Sequence, residues 1–233
     1  VSLAQTMRAF SGNNDVYVDA CGSIGKGREF FATIHLGSST IDPNGIADRL
    51  DEYLVVWNGH DGKMPITFVN TPIRTVCKNA ILVAKNESRM KVSARHTKNA
   101  DFVVSDGMAI AKQWADLSQK TKKVAEQMVR IPIRSNDVVV SAAKAILLRG
   151  LGKKSKKHLD ESAESIVNLY SSKLNAATYG HNGWSLYNSV VEYLDHERDA
   201  EATDRAETTM DSTSWVSKKK YTTAQYVLAL ANH

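Results

Sequence analysis

Cysteine is scarce in this chain: two residues, Cys21 and Cys77, among 233. They stand far apart and form no close-spaced pair, which argues against a disulfide scaffold and a cysteine-ligated zinc site. Both are expected to be buried thiols. Long apolar runs are missing too. A membrane-spanning helix needs roughly 20 consecutive apolar residues, and no stretch approaches that. The first residues also lack the charged, apolar and small-residue order of a signal peptide. A cytoplasmic protein with no membrane partner is therefore expected. The chain opens at Val1 and not at methionine, so a preceding segment is expected as well.

What is present is ordinary for a folded protein: 42% hydrophobic and 24% charged residues, which argues against wholesale disorder. The net charge of +5 and pI of about 9.1 permit nucleic-acid binding without demanding it. At this length the chain can bury one full core plus a helical appendage.

The segment at 53–84, YLVVWNGHDGKMPITFVNTPIRTVCKNAILVA, changes period along its length. Tyr53 to Trp57 is an unbroken β-branched and aromatic run, and Asn58, Gly59, Asp61 and Gly62 suit a hairpin connection, with His60 as an exposed turn residue. A return strand over 66–71 is expected to end at Pro72, which cannot donate to a ladder. Val76, Ala80, Val83 and Ala84 then recur at helical spacing. Upstream, residues 15–20 alternate as a strand with Val16 and Val18 inward, and 30–36 (FFATIHL) form its partner. Between them Gly22, Gly25 and Gly27 accompany Lys26 and Arg28. This loop lacks the Lys-Ser/Thr ending of a phosphate-binding P-loop and leads into a strand, so it reads as a mobile basic hairpin tip. Residues 37–45 read as a turn-rich link.

Downstream, 90–96 (MKVSARH) alternates as a strand with one cationic face. Helices are expected over 100–129, 138–148 (with N-cap candidates Ser135, Asn136 and Asp137), 160–178, from 184 onward, and 215–231. The basic segment 149–158 is read as an interhelical loop, and Gly180 as a helix stop. On the helix that carries Trp184, Tyr187, Val191 and Leu194, the opposite face holds Asn188, Glu192, Asp195 and His196. The expected fold is α+β: antiparallel hairpins packed on a helix over 1–130, then a helical region over 131–233.

Three kinds of chemistry are available. Lys85, Arg89, Lys91, Arg95 and Lys98 concentrate around the 90–96 strand, with Lys153, Lys154, Lys156 and Lys157 in the basic loop; together they suit a groove and an auxiliary arm that hold a phosphate backbone. The bland alternative is a solvated, lysine-guarded sheet edge. Tyr17, Phe31 and Tyr53 are available to stack on bases if they face outward, whereas Trp57 and Trp184 read as core. Glu192, Asp195 and His196 share one helix face, which suits a Mg²⁺ site in a nuclease or an ordinary salt-bridged surface. Nucleophilic catalysis has less support, since neither Cys77 nor Ser23 has a histidine that the sequence pairs with it.

Two stretches, YLVVWNGHDGKMPITFVNTPIRTVCKNAI and GWSLYNSVVEYLDH, resemble the signatures of a phage- and plasmid-borne family catalogued as a domain of unknown function, DUF 932. In that family a hairpin and helix are followed by a basic strand with an Arg-His pair, here Arg95-His96, then by a long helix and the second signature. Here Asn58-Gly59 departs from the usual serine-containing pair, Lys78 precedes Asn79, and Ala80 stands for a usual threonine. The resemblance implies a phage or mobile-element setting in the host-cell cytoplasm, and it carries no reaction. Paired hairpins with a cationic strand are similar to phage single-strand annealing proteins. The expectation that follows is a non-enzymatic homo-oligomer, ring or filament, that binds single-stranded DNA and needs no cofactor. A Mg²⁺-dependent nuclease or nucleic-acid-modifying enzyme, and a structural or interaction protein of the virion, are the alternatives.

Overall fold

The computed structural model describes residues 16–24, 27, 29–59, 65–74, 91–94, 114–148, 156–198 and 215–232. They form an α+β fold. A five-stranded sheet runs in simple sequence order through β1 (Tyr17–Ile24), β2 (Glu29–Ile41), β3 (Asp48–Gly59), β4 (Ile66–Arg74) and β5 (Lys91–Ala94). Helices follow: α1 (Trp114–Val129), α2 (Asn136–Leu148), α3 (Lys156–Ser171), the short α4 (Ala176–Tyr179), α5 (Gly183–Glu192), a π turn at Tyr193–Glu197, and α6 (Trp215–Ala229) with a closing 3-10 turn, Leu230–Asn232. Among the described residues no helix is long and apolar enough to cross a membrane.

The chain divides into two compact units. The first contains residues 1–39, 50–73 and 86–120, and so most of the sheet. Its centre is β3, which is buried along nearly its whole length, with Leu50, Leu54 and Val56 at 2% exposure or less. A strand covered on both faces needs apolar residues without strict alternation, which is why the Tyr53 to Trp57 run is continuous. Both edge pairs are antiparallel, β1 on β2 and β4 on β5.

Several expected boundaries move because tertiary pairing overrides turn chemistry. β1 extends through Cys21, Gly22 and Ser23, residues read above as loop, because each has a partner on β2. Gly22 makes this possible: a Cβ there would lie 2.9 Å from the Phe31 ring, which covers the glycine. Cys21 is exposed and not the buried thiol expected. β2 runs straight through the presumed link to Ile41, with Ser38 Oγ donating to Asp51 Oδ1 at 2.7 Å. β4 passes Pro72 and continues to Arg74.

The second unit contains residues 40–49, 74–85 and 121–233. Its apolar core joins Ile146 and Leu147 of α2, Ala163 and Ile166 of α3, Val190 of α5, Leu194 of the π turn and Val216 of α6. α5 is buried at all ten positions, polar ones included. It can be, because its polar side chains turn back on nearby backbone: Ser185 Oγ donates to the Gly180 carbonyl (2.8 Å), Asn188 Nδ2 to that of Trp184 (2.9 Å) and Ser189 Oγ to that of Leu186 (2.8 Å). Asn182 caps the helix, accepting from Ser185 N at 2.9 Å. The Trp184 indole donates to Asp48 Oδ2 at 2.7 Å.

Gly183 opens α5 at a close approach. A Cβ there would lie 2.7 Å from Val227 Cγ1 and 2.9 Å from the Met128 carbonyl oxygen. The carbonyl is backbone and cannot swing aside, so Gly183→Ala is expected to destabilise the chain by about 1–3 kcal/mol. A thermal or urea midpoint equal to the parent's would contradict this.

The expected 160–178 helix begins earlier, at Lys156, and stops at Ser171, with α4 as a separate turn ended by Gly180 at φ 88°. Lys156 and Lys157 therefore belong to a helix and not to a loop. The expected helix over 75–84, the 100–113 part of the long helix, His60 and Cys77 lie outside the described residues.

Candidate functional site

The richest concentration of polar and aromatic chemistry in the sheet lies on one face of β1, β2 and β3. Tyr17 and His35 are opposite in register, and cross-strand partners share a face. Their rings stack with centroids 4.8 Å apart, and the Tyr53 ring meets His35 edge-on at 5.4 Å. Phe31 and Glu29 follow on the same face of β2 by the two-residue period. The Trp57 indole donates to Glu29 Oε2 at 3.0 Å. A bulge in β1 at Val18/Ala20 resets the register beside this group.

Tyr17 is 51% exposed and forms the open end of an aromatic row that runs inward to Tyr53, which is 5% exposed. Burial, reinforced by the carboxylates of Asp19 and Asp51 and by a hydrogen bond to Asp19, pushes the Tyr53 phenol up to about 12. It stays protonated and remains a donor at neutral pH. His35 Nε2 lies 3.7 Å from Asp51 Oδ1 and 3.4 Å from Ser38 Oγ.

Ser38, His35 and Asp51 are the types of a nucleophilic relay in the wrong order. In such a relay the imidazole stands between hydroxyl and carboxylate, using one nitrogen for each. Here the hydroxyl donates directly to the carboxylate and the same Nε2 faces both. Ser38 is thus held as a donor and is not activated. What the face offers is one exposed ring, Tyr17, backed by the buried His35 and Tyr53 rings and neighboured by carboxylates that accept hydrogen bonds.

The residues singled out from the sequence fall unevenly. Tyr17 and Tyr53 meet through His35 on this face, and Phe31 shares it by strand alternation, lying against Gly22. Lys91 opens β5, at the sheet edge, and Lys156 and Lys157 begin α3. Lys157 is exposed and lies 3.8 Å from Glu161. Lys85, Arg89, Arg95, Lys98, Lys153 and Lys154 lie outside the described residues.

Glu192, Asp195 and His196 are not a common outward face. Glu192 is buried and its Oε2 accepts from Asn175 Nδ2 at 3.0 Å. Asp195 is buried and its two oxygens lie 2.7 and 2.8 Å from Lys220 Nζ. Asn188 is buried too, while His196 is exposed. The helical wheel placed these acids outside because it cannot register α6, which brings Lys220 to them. Among the described residues no group of three His, Cys, Asp or Glu side chains is placed to hold a metal.

His35, Asp51 and Ser38 were not anticipated. The alternation in FFATIHL is a signal for a shared face of Phe31, Thr33 and His35, but their meeting with Tyr17 depends on register and a bulge.

Residues 1–216 match a family described as Domain of unknown function (DUF932). No curated protein and no solved structure matches the chain.

Proposed function

We propose that this chain, which belongs to the DUF932 family, binds single-stranded nucleic acid without covalent chemistry, as a homo-oligomeric DNA-binding or annealing protein of a phage or mobile element in the host-cell cytoplasm. The observation that supports the reading best is the aromatic row Tyr17, His35 and Tyr53, open to solvent at Tyr17. Single strands are bound without strong sequence preference by stacking bases on such aromatics, each worth about 1–3 kcal/mol. Asp19, Asp51 and Glu29 neighbour the row and repel phosphates, so the backbone must run elsewhere. In this reading it follows the cations of 85–98, which include Lys91 on β5, with the lysines of 153–157 as an arm.

The test is fluorescence anisotropy with a labelled single-stranded oligonucleotide across a salt series. Affinity should fall with salt by a log-log slope of about 0.7 per phosphate contact. Tyr17→Ala should weaken binding roughly tenfold while leaving the salt slope unchanged, because it removes stacking and not charge. Salt-independent binding, no binding, or an unaltered affinity in Tyr17→Ala would sink the proposal.

A further inference from the structure

The helical unit contains a cleft of about 480 Å³ at the junction of α1 and α2, closed on one side by the 3-10 turn after α6. Its construction starts with a clamped extended segment. α1 ends at Val129, and Arg130 N and Ile131 N still donate to the carbonyls of Gln127 and Met128 at 3.2 and 3.1 Å. The chain then straightens: Ile133 N donates to the His181 carbonyl at 3.0 Å, Gly183 N donates to that of Ile131 at 2.9 Å, and Pro132 bridges to Asn182. Side chains alternate across this segment. Ile131 and Ile133 are buried at 5% exposure each, while Arg130, Pro132 and Arg134 are exposed.

Two cations are thereby carried on a rigid strip, with apolar surface between them. Neither Arg130 nor Arg134 makes an ion pair with any described residue. Val138 of α2, at 36% exposure, and Leu230 complete an apolar wall. The volume falls within the roughly 300–1,000 Å³ of small-molecule sites.

We propose that this cleft is a nucleotide site, with the phosphate held by the guanidinium groups of Arg130 and Arg134 and the base laid against Pro132, Val138 and Leu230. A guanidinium supplies a planar fork that matches phosphate oxygens and also stacks on flat rings. A purely anionic ligand, such as inorganic phosphate or an acidic peptide, would use the two arginines and leave the apolar wall wet. A neutral apolar ligand would leave both charges unanswered. A nucleotide satisfies both halves. The site lies entirely in the helical unit and stands independently of the aromatic face of the sheet.

Isothermal titration of the whole chain with dTMP and dAMP tests it, with thymidine, inorganic phosphate and an aspartate-rich peptide as comparisons. At least one nucleotide should bind, and thymidine and phosphate should each bind at least tenfold more weakly. Arg130→Gln and Arg134→Gln should each lower nucleotide affinity about tenfold without moving the melting temperature, since both side chains are exposed. A 5′-phosphorylated tetranucleotide separates two sources of the same chemistry: equal affinity assigns the site to free nucleotides or strand ends, and tighter binding assigns it to nucleotides within a strand. No nucleotide binding at millimolar concentration, binding indifferent to both arginines, or equal binding of the acidic peptide would overturn the assignment.

Discussion

Replacing Lys220 by methionine is expected to destabilise the chain by about 3–5 kcal/mol, because it removes the ammonium paired with a buried carboxylate. Lys220 and Asp195 are sealed from solvent, at 1% and 2% side-chain exposure, and both carboxylate oxygens lie within hydrogen-bond distance of the ammonium. The gain from pairing two buried ions is largely offset by their desolvation, so the pair itself contributes little. Removing one partner is different, since the other keeps its desolvation cost without its counter-ion. The double variant Lys220→Met with Asp195→Leu should therefore recover most of the loss. Urea denaturation of the three variants measures this directly. A single variant within about 1 kcal/mol of the parent would contradict the buried-pair account. Lys157→Ala provides the contrast: its partner Glu161 is an i,i+4 neighbour and both side chains are largely exposed, so the change should be about 0.5 kcal/mol or less.

The second large effect is a pH dependence centred on Glu52. This side chain of β3 is 1% exposed. Burial raises its carboxyl from 4.5 to about 7, Ser118 on α1 opposes the shift through a hydrogen bond, and the neighbouring Asp51 charge adds to it. Glu52 Oε1 has no hydrogen-bond partner among the described residues. The folded state thus binds the proton more tightly than the unfolded state does. Stability from this group is fully present below pH 4.5 and is lost as pH rises through about 7. The loss amounts to about 3 kcal/mol. Glu52→Gln, which cannot ionise, should remove this slope and leave the variant more stable than the parent at pH 8 but not at pH 4. Comparing the two proteins by urea denaturation across that range cancels the other titrating groups. A difference that does not vary with pH would refute the assignment.

How far these features were legible in the sequence depends on whether they are local. The centre of β3 is visible in the apolar run from Tyr53 to Trp57, and the α2 helix in its alanine and aliphatic content, because each signal lies within one element. Gly180 and Asn182 mark the entry to α5 by local backbone chemistry. The burial of Glu192 and Asp195 is not local. Their partners Asn175 and Lys220 lie on other elements, and lysine is so seldom buried that composition gives no hint of the burial of Lys219 and Lys220. The aromatic face is equally hidden, since Tyr17 meets His35 only through strand register. The cleft at Arg130 and Arg134 depends on a bridge to Asn182, of which Pro132 alone announces only a break. Glycines misled most, because Gly22 and Gly37 suggested turns where strands continue.

Lys219 has a consequence for how the chain is made. Its ammonium donates to the carbonyls of Ile146 and Leu147, at the end of α2 where the helix dipole favours a positive charge. That counter-charge lies 72 residues downstream of Leu147. At a synthesis rate of about 5–20 residues per second, the end of α2 and the apolar surface around it must wait for several seconds before α6 emerges to cover them. The helical unit therefore closes late, and the nascent chain displays the apolar side of α2 during that interval.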